Sequence, residues 1–341
     1  MNFFRFLLFP FAILYDLITR IRNYFYDVGV FTSTSFEIPI IAVGNLNFGG
    51  TGKTPQIEYL IRILQDENKI AVLSRGYKRK TSGFLLINTS HTPLDVGDEP
   101  LQLFKKFSTI SVAVDEDRVN GIRELNTKIT PDIILLDDAF QHRKVAADLY
   151  ILLTNYNDLF LDDFLLPTGN LRESRRGAKR ANSIIVTKCP NNLSEDAQKK
   201  LRKKLNPSPN QQVFFSTINY LPKTSGSQKI SINKLQEYEI ILITGIANPS
   251  SLLLFLEGKQ CKFHHIEFPD HHNFTSKEIE QIQLKFHGIA TTKKILLTTE
   301  KDYMRLSDQI SELSYLEIVT DLLVDQKKFD DEIKSYCKIK S

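Results

Sequence analysis

The stretch Asn47-Phe-Gly-Gly-Thr-Gly-Lys-Thr54 predicts how this chain folds and what its first domain binds. An apolar run at residues 40–43 precedes it, and Pro55 with a periodic apolar segment indicates that a helix starts directly after it. A glycine-rich loop between a strand and a helix is the arrangement of a phosphate-binding loop, or P-loop. Its amides and the amino terminus of the helix attract phosphate oxygens, so we expect a bound nucleoside triphosphate.

The residues of this loop are expected to have separate roles. Gly49, Gly50 and Gly52 allow backbone amides to converge on phosphate oxygens. Lys53 should neutralise the β- and γ-phosphates, and Thr54 should offer its hydroxyl to Mg²⁺. The common pattern starts with glycine where this chain has asparagine, and the alternative is a glycine-rich turn with an exposed lysine. The predicted nucleotide-binding residues are Asn47, Phe48, Gly49, Gly50, Thr51, Gly52, Lys53 and Thr54.

The acidic segment Asp132-Ile-Ile-Leu-Leu-Asp137-Asp138 predicts where the metal ion binds. Its apolar residues are typical of a buried parallel strand, which ends where a doubly wound sheet places its ligands. Asp137 and Asp138 are therefore expected to hold Mg²⁺, although one of them could instead cap the next turn. Gln141 and His142 follow closely and are candidates for nucleotide or substrate contacts, or ordinary polar loop residues.

Further acidic and basic elements suggest a phosphoryl acceptor. Transfer to an alcohol needs a carboxylate for the hydroxyl proton and cations for the moving phosphoryl group, and Asp98 and Arg118 could fill these roles. Helix capping is the alternative for Asp98 and Glu99. In the segment Phe268-Pro-Asp-His-His272, two histidines could ligate a metal. The favoured hypothesis is a histidine that steadies a carboxylate base across a domain cleft.

Strand and helix patterns alternate along most of the chain. From residue 38 to residue 187 this alternation predicts a parallel α/β sheet of the P-loop NTPase kind, flanked by helices. Residues 206–210 and 221–227 are polar and rich in proline, serine and glycine, which indicates a hinge. A second alternation follows. We therefore expect a kinase domain over residues 31–220 and a smaller α/β domain over residues 221–341.

Residues 1–30 are expected to form a membrane-interfacial helix. Residues 3–18 are nearly all apolar, and Arg20 and Arg22 lie beside aromatic residues, as at a headgroup boundary. A buried amphipathic helix is the alternative. The densest cationic run, residues 171–180, is either a solvated face or a site for substrate phosphate or anionic lipid.

Composition narrows the class of protein. The chain has 341 residues, 42% of them hydrophobic, so it can bury a large core. A formal net charge of +4 does not indicate nucleic acid but suits an anionic membrane surface or a phosphorylated substrate. The cysteines are far apart and lack a C-x-x-C pair, which indicates neither a disulfide framework nor a zinc site and favours a reducing compartment.

Taken in order, these motifs resemble the tetraacyldisaccharide 4′-kinase family, the lipid A kinases of Gram-negative bacteria. The resemblance spans nearly the whole chain. It rests on Val43-Gly-Asn-Leu46, Gly49-Gly-Thr-Gly-Lys-Thr-Pro55, Ser74-Arg-Gly-Tyr77, Val96-Gly-Asp-Glu-Pro100, Asp117-Arg118, Leu136-Asp-Asp138, Gln141-His142, Leu171-Arg-Glu173, Gly245-Ile246, Phe268-Pro-Asp-His-His272 and Thr299-Glu-Lys-Asp302. Ala139-Phe140 departs from the Gly-Leu common in relatives, which affects only local packing.

The resemblance implies transfer of the ATP γ-phosphate, with Mg²⁺, to the 4′-hydroxyl of a tetraacylated glucosamine disaccharide 1-phosphate. It implies a membrane-associated enzyme, peripheral or monotopic, on the cytoplasmic face of the bacterial inner membrane. We expect the protein to be a monomer. The expected catalytic residues are Asp98, His271, Lys53 and Arg118, with the first two as a dyad. The expected metal ligands are Thr54, Asp137 and Asp138. The expected substrate-binding residues are Glu99, Gln141, His142, Arg172 and Glu173.

Two other classes of protein share some of these features. One is a membrane-associated P-loop ATPase or GTPase switch without an alcohol acceptor. GTP is disfavoured because Thr187-Lys-Cys-Pro190 lacks the aspartate of the guanine-reading motif. The other is a non-catalytic peripheral membrane protein, which the retained lysine, threonine and acidic residues of the motifs argue against.

Overall fold

The structure, a computed structural model, describes residues 3–339; residues 1, 2, 340 and 341 of the expected domains lie outside this range. Its strands are β1 (Ile40–Asn45), β2 (Ile70–Ser74), β3 (Leu85–Leu86), β4 (Ser111–Val114), β5 (Ile133–Asp137), β6 (Leu149–Asn155), β7 (Ser183–Thr187), β8 (Gln212–Tyr220), β9 (Ser225–Gly226), β10 (Glu239–Thr244), β11 (Lys262–Glu267), β12 (Lys294–Thr299), β13 (Leu313–Leu316) and β14 (Ile318–Leu322). Its α-helices are α1 (Phe9–Asp27), α2 (Lys53–Leu64), α3 (Pro93–Val96), α4 (Asp98–Lys106), α5 (Arg118–Lys128), α6 (Glu195–Leu205), α7 (Ser250–Gly258), α8 (Ser276–His287), α9 (Glu300–Leu306) and α10 (Gln326–Ile339).

The large sheet has nine strands in the order β14-β8-β7-β6-β1-β5-β2-β4-β3. Its strands are parallel except for β3 and β14, which pair antiparallel with β4 and β8 at the two edges. Parallel neighbours place their carboxyl ends at one edge of the sheet, where Asn45, Ser74 and Asp137 meet. The α/β fold class predicted from the sequence is confirmed.

Both faces of this sheet are covered by helices. On one face Leu60 of α2 packs in a cluster with Phe329 of α10, and on the other Ile122 of α5 packs with Leu73 and Ile134. All five side chains are buried. This two-sided burial explains why the strands read as continuous apolar runs rather than as alternating ones.

The second sheet is smaller, with the order β11-β10-β12-β13-β9. Its strands are parallel except for β9, which runs antiparallel to β13. The structure differs from the expected domain boundary at the carboxyl end, because β14 pairs with β8 and α10 packs on α2. Residues 318–339 therefore return to the large sheet, where Phe329 and Ile333 of α10 bury their apolar side chains.

A buried ionic cluster links the two sheets. Lys106, at the end of α4, lies 2.9 Å from Glu58 of α2 and 2.8 Å from Glu300 of α9. Glu317, between β13 and β14, lies 3.4 Å from the same ammonium. Because charges this buried are costly without partners, the cluster holds α4 and α9 in one arrangement.

Helix α1 leaves most of its apolar side chains exposed. Of its residues only Ala12 is buried, whereas Phe11, Leu14 and Ile18 are 62%, 55% and 56% exposed. None of the helices described within residues 3–339 is both long and apolar enough to cross a membrane. The exposed apolar stripe of α1 is far larger than the single exposed residues usual on a soluble surface.

Candidate active site

The P-loop connects β1 to α2 as expected. Gly49 and Gly52 adopt φ angles of 120° and 86°, which side chains other than glycine rarely reach, and α2 begins directly at Lys53. The first amides of a helix have no partner inside it, so this terminus can receive phosphate oxygens. The Lys53 ammonium lies 3.4 Å from Asn45 Oδ1 and 3.8 Å from Asp138 Oδ2.

The first two residues of the loop play a different part from the one expected. The buried Asn47 side chain donates to Asp163 Oδ2 at 3.0 Å, and the amide of Phe48 donates to the Asn170 carbonyl at 2.8 Å. These donors are therefore engaged by the chain at residues 163–170 and do not face a phosphate. At the position of the first motif glycine, Asn47 thus ties the loop to this neighbouring segment.

A cation that the sequence left without a role lies beside the loop. Lys188 follows β7, and its Nζ would be 3.8 Å from a Cβ placed on Gly50. No residue in the described range forms an ion pair with it, and burial lowers its pKa. An ammonium in this position is available to an anionic ligand of the loop.

The two acids at the carboxyl end of β5 have different environments. Asp137 is buried, its Oδ2 accepts from Ser74 at 3.1 Å, and its Oδ1 has no partner among the described residues. Burial, with the charges of Glu99 and Asp138, raises the pKa of Asp137 to about 7. Burial opposes ionisation of Asp138 too, but Lys53 and its other cationic neighbours outweigh it and lower that pKa.

These carboxylates suit Mg²⁺. Asp137 carries an unpartnered buried oxygen, and Asp138 is held at a φ of 48°, a costly conformation that aims its side chain beside Lys53. Within residues 3–339 no group of three or more acidic, histidine or cysteine side chains could hold a metal ion. Mg²⁺ does not need one, because it usually keeps several waters and binds one or two carboxylates with substrate phosphates.

Arg118 and His142 lie close to Asp137 and Asp138. The buried Arg118 guanidinium donates to the Asp115 carbonyl at 2.9 Å and to the Asp137 carbonyl at 3.3 Å, while its Nε has no partner in the described chain. Burial lowers the pKa of Arg118 to about 10 and, with the Arg118 charge, lowers that of His142 to about 4. His142 is therefore neutral at physiological pH, and Arg118 remains charged.

Asp98 and His271 meet across the two sheets although 173 residues separate them. His271 Nδ1 lies 2.8 Å from Asp98 Oδ2, and both side chains are almost fully buried. The capping alternative for Asp98 does not hold, because the cap position is Gly97 and no side chain bonds the end of α4 there. Two cations of α9, Lys301 and Arg305, touch the pair and were missed as site residues. Their spacing of four residues on a helix was the available signal.

A cavity of about 640 Å³ collects the predicted groups. It is lined by Asp98, Glu99, Arg118, Asp137, Asp138, Gln141, His142, Arg172, Glu173 and His271. The wall also contains Ser74, Arg75 and Tyr77, which the motifs contained but to which no role had been given. Of the P-loop, only Phe48 reaches this wall, so the cavity lies to one side of the nucleotide loop and suits the phosphoryl acceptor.

Helix α1 forms part of the cavity wall. Tyr15 Oη donates to the Arg172 carbonyl at 2.8 Å, and Asn23 donates to Glu173 Oε2 at 3.1 Å. Gln141 donates to the other oxygen of Glu173 at 3.0 Å. Glu173 therefore organises the wall, and the polar side of α1 faces the cavity while its apolar side faces outward.

Only some of the cations in residues 171–180 are free to contact a ligand or a lipid. Arg172 pairs with Asp138 at 2.7 Å, and Arg180 pairs with Glu173 at 2.8 Å, so both arginines point inward. The exposed cations of the run are Arg175, Arg176 and Lys179. The part of the run that could meet a lipid or a substrate phosphate is thus smaller than the sequence indicated.

A P-loop beside a cavity that holds two adjacent carboxylates and an aspartate–histidine pair is the arrangement of a P-loop phosphotransferase. Residues 4–338 match the model of the family described as tetraacyldisaccharide-1-P 4′-kinase. The chain belongs to this family, as the sequence motifs predicted.

Individual relatives agree. The tetraacyldisaccharide 4′-kinase of Flavobacterium johnsoniae is 51% identical over 99% of this chain and 98% of that protein. The enzyme of the same name from Flavobacterium psychrophilum is 52% identical over 98% of both chains. Among solved structures, LpxK from Aquifex aeolicus in complex with ATP superimposes with a TM-score of 0.79 at 29% identity, over 98% of this chain and 99% of that one.

Proposed function

We propose that this protein transfers the γ-phosphate of ATP to the 4′-hydroxyl of a tetraacylated glucosamine disaccharide 1-phosphate. The observation that carries the proposal is that one cavity is lined by Asp137 and Asp138, by the Asp98–His271 pair and by helix α1. A polar cavity beside an exposed apolar helix suits an acceptor with a sugar headgroup and acyl chains. Family membership supports the same acceptor.

The nucleotide side uses the P-loop. The amides at the start of α2 and the Lys53 ammonium would bind the β- and γ-phosphates. Asp137, Asp138 and Thr54 would hold Mg²⁺, which when bound neutralises charge on the phosphate oxygens. Arg118 keeps the Asp137 backbone in place through its carbonyl, and Arg172 orients the Asp138 carboxylate.

On the acceptor side Asp98 is the proposed base. Burial opposes its ionisation, but hydrogen bonds from His271 and Arg305 outweigh burial and lower the pKa of Asp98, so the carboxylate is ionised at neutral pH. As the 4′-oxygen attacks phosphorus, its bond to the γ-phosphorus forms and the bond to the β–γ bridging oxygen breaks. The hydroxyl proton passes to Asp98 and then to solvent, and ADP leaves.

The acyl chains require the enzyme to work at a membrane. Moving such a lipid into water costs about 0.8 kcal/mol for each buried CH₂, so the enzyme should meet its substrate in the bilayer. The exposed apolar side of α1 supports peripheral or monotopic binding to the cytoplasmic face of the inner membrane. Arg175, Arg176 and Lys179 would meet anionic lipid or the 1-phosphate. Because one chain supplies all these groups, the proposed active form is a monomer.

The direct test is transfer of label from γ-labelled ATP to a detergent-solubilised tetraacyl disaccharide 1-phosphate. Labelled lipid is the expected product, and label appearing only as free phosphate would support the ATPase-switch alternative instead. Asp98→Asn should lower kcat by roughly 10²- to 10⁴-fold, the usual contribution of a general base. Asp66→Asn, at an exposed position after α2, is the matched control and should keep the parent rate.

A further inference from the structure

Arg305 binds the Asp98 carboxylate with two nitrogens of its guanidinium group. Its Nε donates to Asp98 Oδ1 at 2.7 Å, and its Nη2 also contacts Asp98 Oδ2. The remaining nitrogen, Nη1, donates to the carbonyl of His272 at 3.0 Å. A bidentate arginine–carboxylate pair fixes the plane of the carboxylate as well as its charge. Arg305 thus ties Asp98 of α4 to both α9 and the loop that carries His271.

Lys301 contacts the other side of the same histidine. Its ammonium lies 3.0 Å from His271 Nε2, on the far side of the ring from Asp98. Lysine has only donors, so this hydrogen bond requires an Nε2 without a proton. Arg305 Nη2 also lies 2.7 Å from Nδ1, but of the two ring nitrogens only Nδ1 has an acceptor within hydrogen-bond distance among the described residues, Asp98 Oδ2 at 2.8 Å. The proton of the neutral ring therefore belongs on Nδ1, where it is donated to Asp98. Lys301 therefore selects the tautomer that His271 needs to orient Asp98.

We propose that Lys301 and Arg305 are positioning residues of the phosphoryl-transfer site, which set the orientation of Asp98 and the tautomer of His271 from the second sheet. This inference rests on the proposed function of Asp98 as the base. It adds a condition to that function: the base is correctly held only while α9 is docked on α4. Neither cation lines the cavity itself; both contact residues that do.

The charges around the pair are consistent with this role. Glu99 lies 3.7 Å from Lys301, and Asp270 lies 3.5 Å from Lys301 and 3.8 Å from His271. The ring of Tyr77 meets the edge of the His271 ring at a centroid distance of 5.5 Å. Arg305 is thus the cation in direct contact with the Asp98 carboxylate. It lowers the pKa of Asp98, and burial opposes this effect.

The pH profile of kcat/KM tests Arg305. Arg305→Met removes a cation that lowers the pKa of Asp98, so that pKa rises and the acid limb of the profile moves to higher pH. We expect kcat to fall by about tenfold or more, but less than in Asp98→Asn. Arg305→Lys keeps the charge without the fork, so it should return the acid limb towards its original position and restore kcat only in part.

Two results would overturn the assignment of Arg305. The first is an Arg305→Met profile whose acid limb does not move, since a loss of rate alone would indicate a general structural defect. The second is an Arg305→Lys variant with the parent kcat, and this variant decides the matter if Arg305→Met does not fold. Retention of the parent rate by Asp98→Asn would instead refute the proposed function.

Nitrogen NMR of histidine-labelled protein tests Lys301. The His271 signals, assigned by their loss in His271→Asn, should show a protonated Nδ1 and a bare Nε2. Lys301→Met should shift them towards a mixture of tautomers and lower kcat more than it raises KM for ATP. A proton on Nε2 in the parent protein, or an unchanged spectrum in Lys301→Met, would overturn the tautomer assignment.

Discussion

The apolar side of α1 gives a membrane-binding prediction whose size follows from exposure. Leu14, Leu17 and Ile18 are 55%, 53% and 56% exposed, so about half of each side chain can still leave water. Full burial of such a side chain contributes about 1.5–3 kcal/mol, and half of that is about 1 kcal/mol for each residue. Replacing all three by glutamine, which keeps helix propensity, should cost about 3 kcal/mol of membrane binding, or roughly 100-fold in the partition coefficient.

The assay is co-sedimentation with vesicles that contain anionic phospholipid. The matched control is Leu254→Gln with Leu284→Gln, at apolar positions 66% and 65% exposed on α7 and α8 of the second sheet. This control should bind vesicles like the parent protein. The α1 variant should also lose activity towards acylated substrate in vesicles while keeping its activity towards the deacylated disaccharide 1-phosphate.

Equal binding of the α1 variant and the parent would refute membrane docking through α1. So would equal losses in the α1 variant and the control, because the effect would then follow from general surface hydrophobicity. A drop in activity towards both substrates would show that the substitutions disturb the cavity wall. Circular dichroism of each variant checks that α1 remains helical.

Three further predictions concern stability and nucleotide binding. Burial raises the pKa of Glu300 to about 7, so the stability that its proton provides at low pH is lost as the pH rises through that value. The free energy of unfolding of Glu300→Gln should therefore fall less between about pH 6 and about pH 8 than that of the parent in urea titrations, and an equal fall would contradict the argument. In Gly44→Ala the new Cβ would lie 2.7 Å from that of a buried phenylalanine, so unfolding should become easier by about 1–3 kcal/mol. Gly258→Ala, which meets nothing within 4 Å, should be nearly neutral, and equal effects would refute the packing argument. Lys188→Met should raise the Kd of ATP about tenfold or more in calorimetry, because a charge-assisted hydrogen bond is lost; an effect no larger than that of the exposed Lys200→Met would exclude this contact.

The strand, loop and helix that carry the proposed nucleotide-binding residues could be predicted because these elements are close in sequence. A strand, a glycine-rich loop and a helix follow one another, and the period of the apolar residues identifies each element. The positions of Asp137 and Asp138 could be predicted for the same reason, because the two residues directly follow a continuous apolar run. Parallel packing then brings the ends of β1 and β5 together, since parallel strands end at one edge of the sheet.

For the acceptor half, the residues suggested a histidine that steadies a carboxylate base, and the resemblance supplied the pairing of His271 with Asp98. Nothing local in the sequence places His271 beside Asp98, because the contact crosses two sheets. Arg305 lies three residues beyond the last recognised motif and reaches its carboxylate only through the packing of α9 on α4. The loop pattern places Asn47 among the nucleotide-binding residues, whereas its side chain bonds Asp163, which lies 116 residues away.

The sequence by itself determined the elements, the position of the P-loop and the two acids at the end of β5, because local pattern and covalent proximity are enough to specify them. It also contained the apolar residues of α1, which form a stripe once that segment is helical. Only the tertiary structure decided that residues 318–339 return to the large sheet, that α1 walls the acceptor cavity, and that two cations of α9 hold the dyad. These contacts join distant parts of the chain, and the burial of apolar surface and paired charge that selects them exists only once the chain has folded.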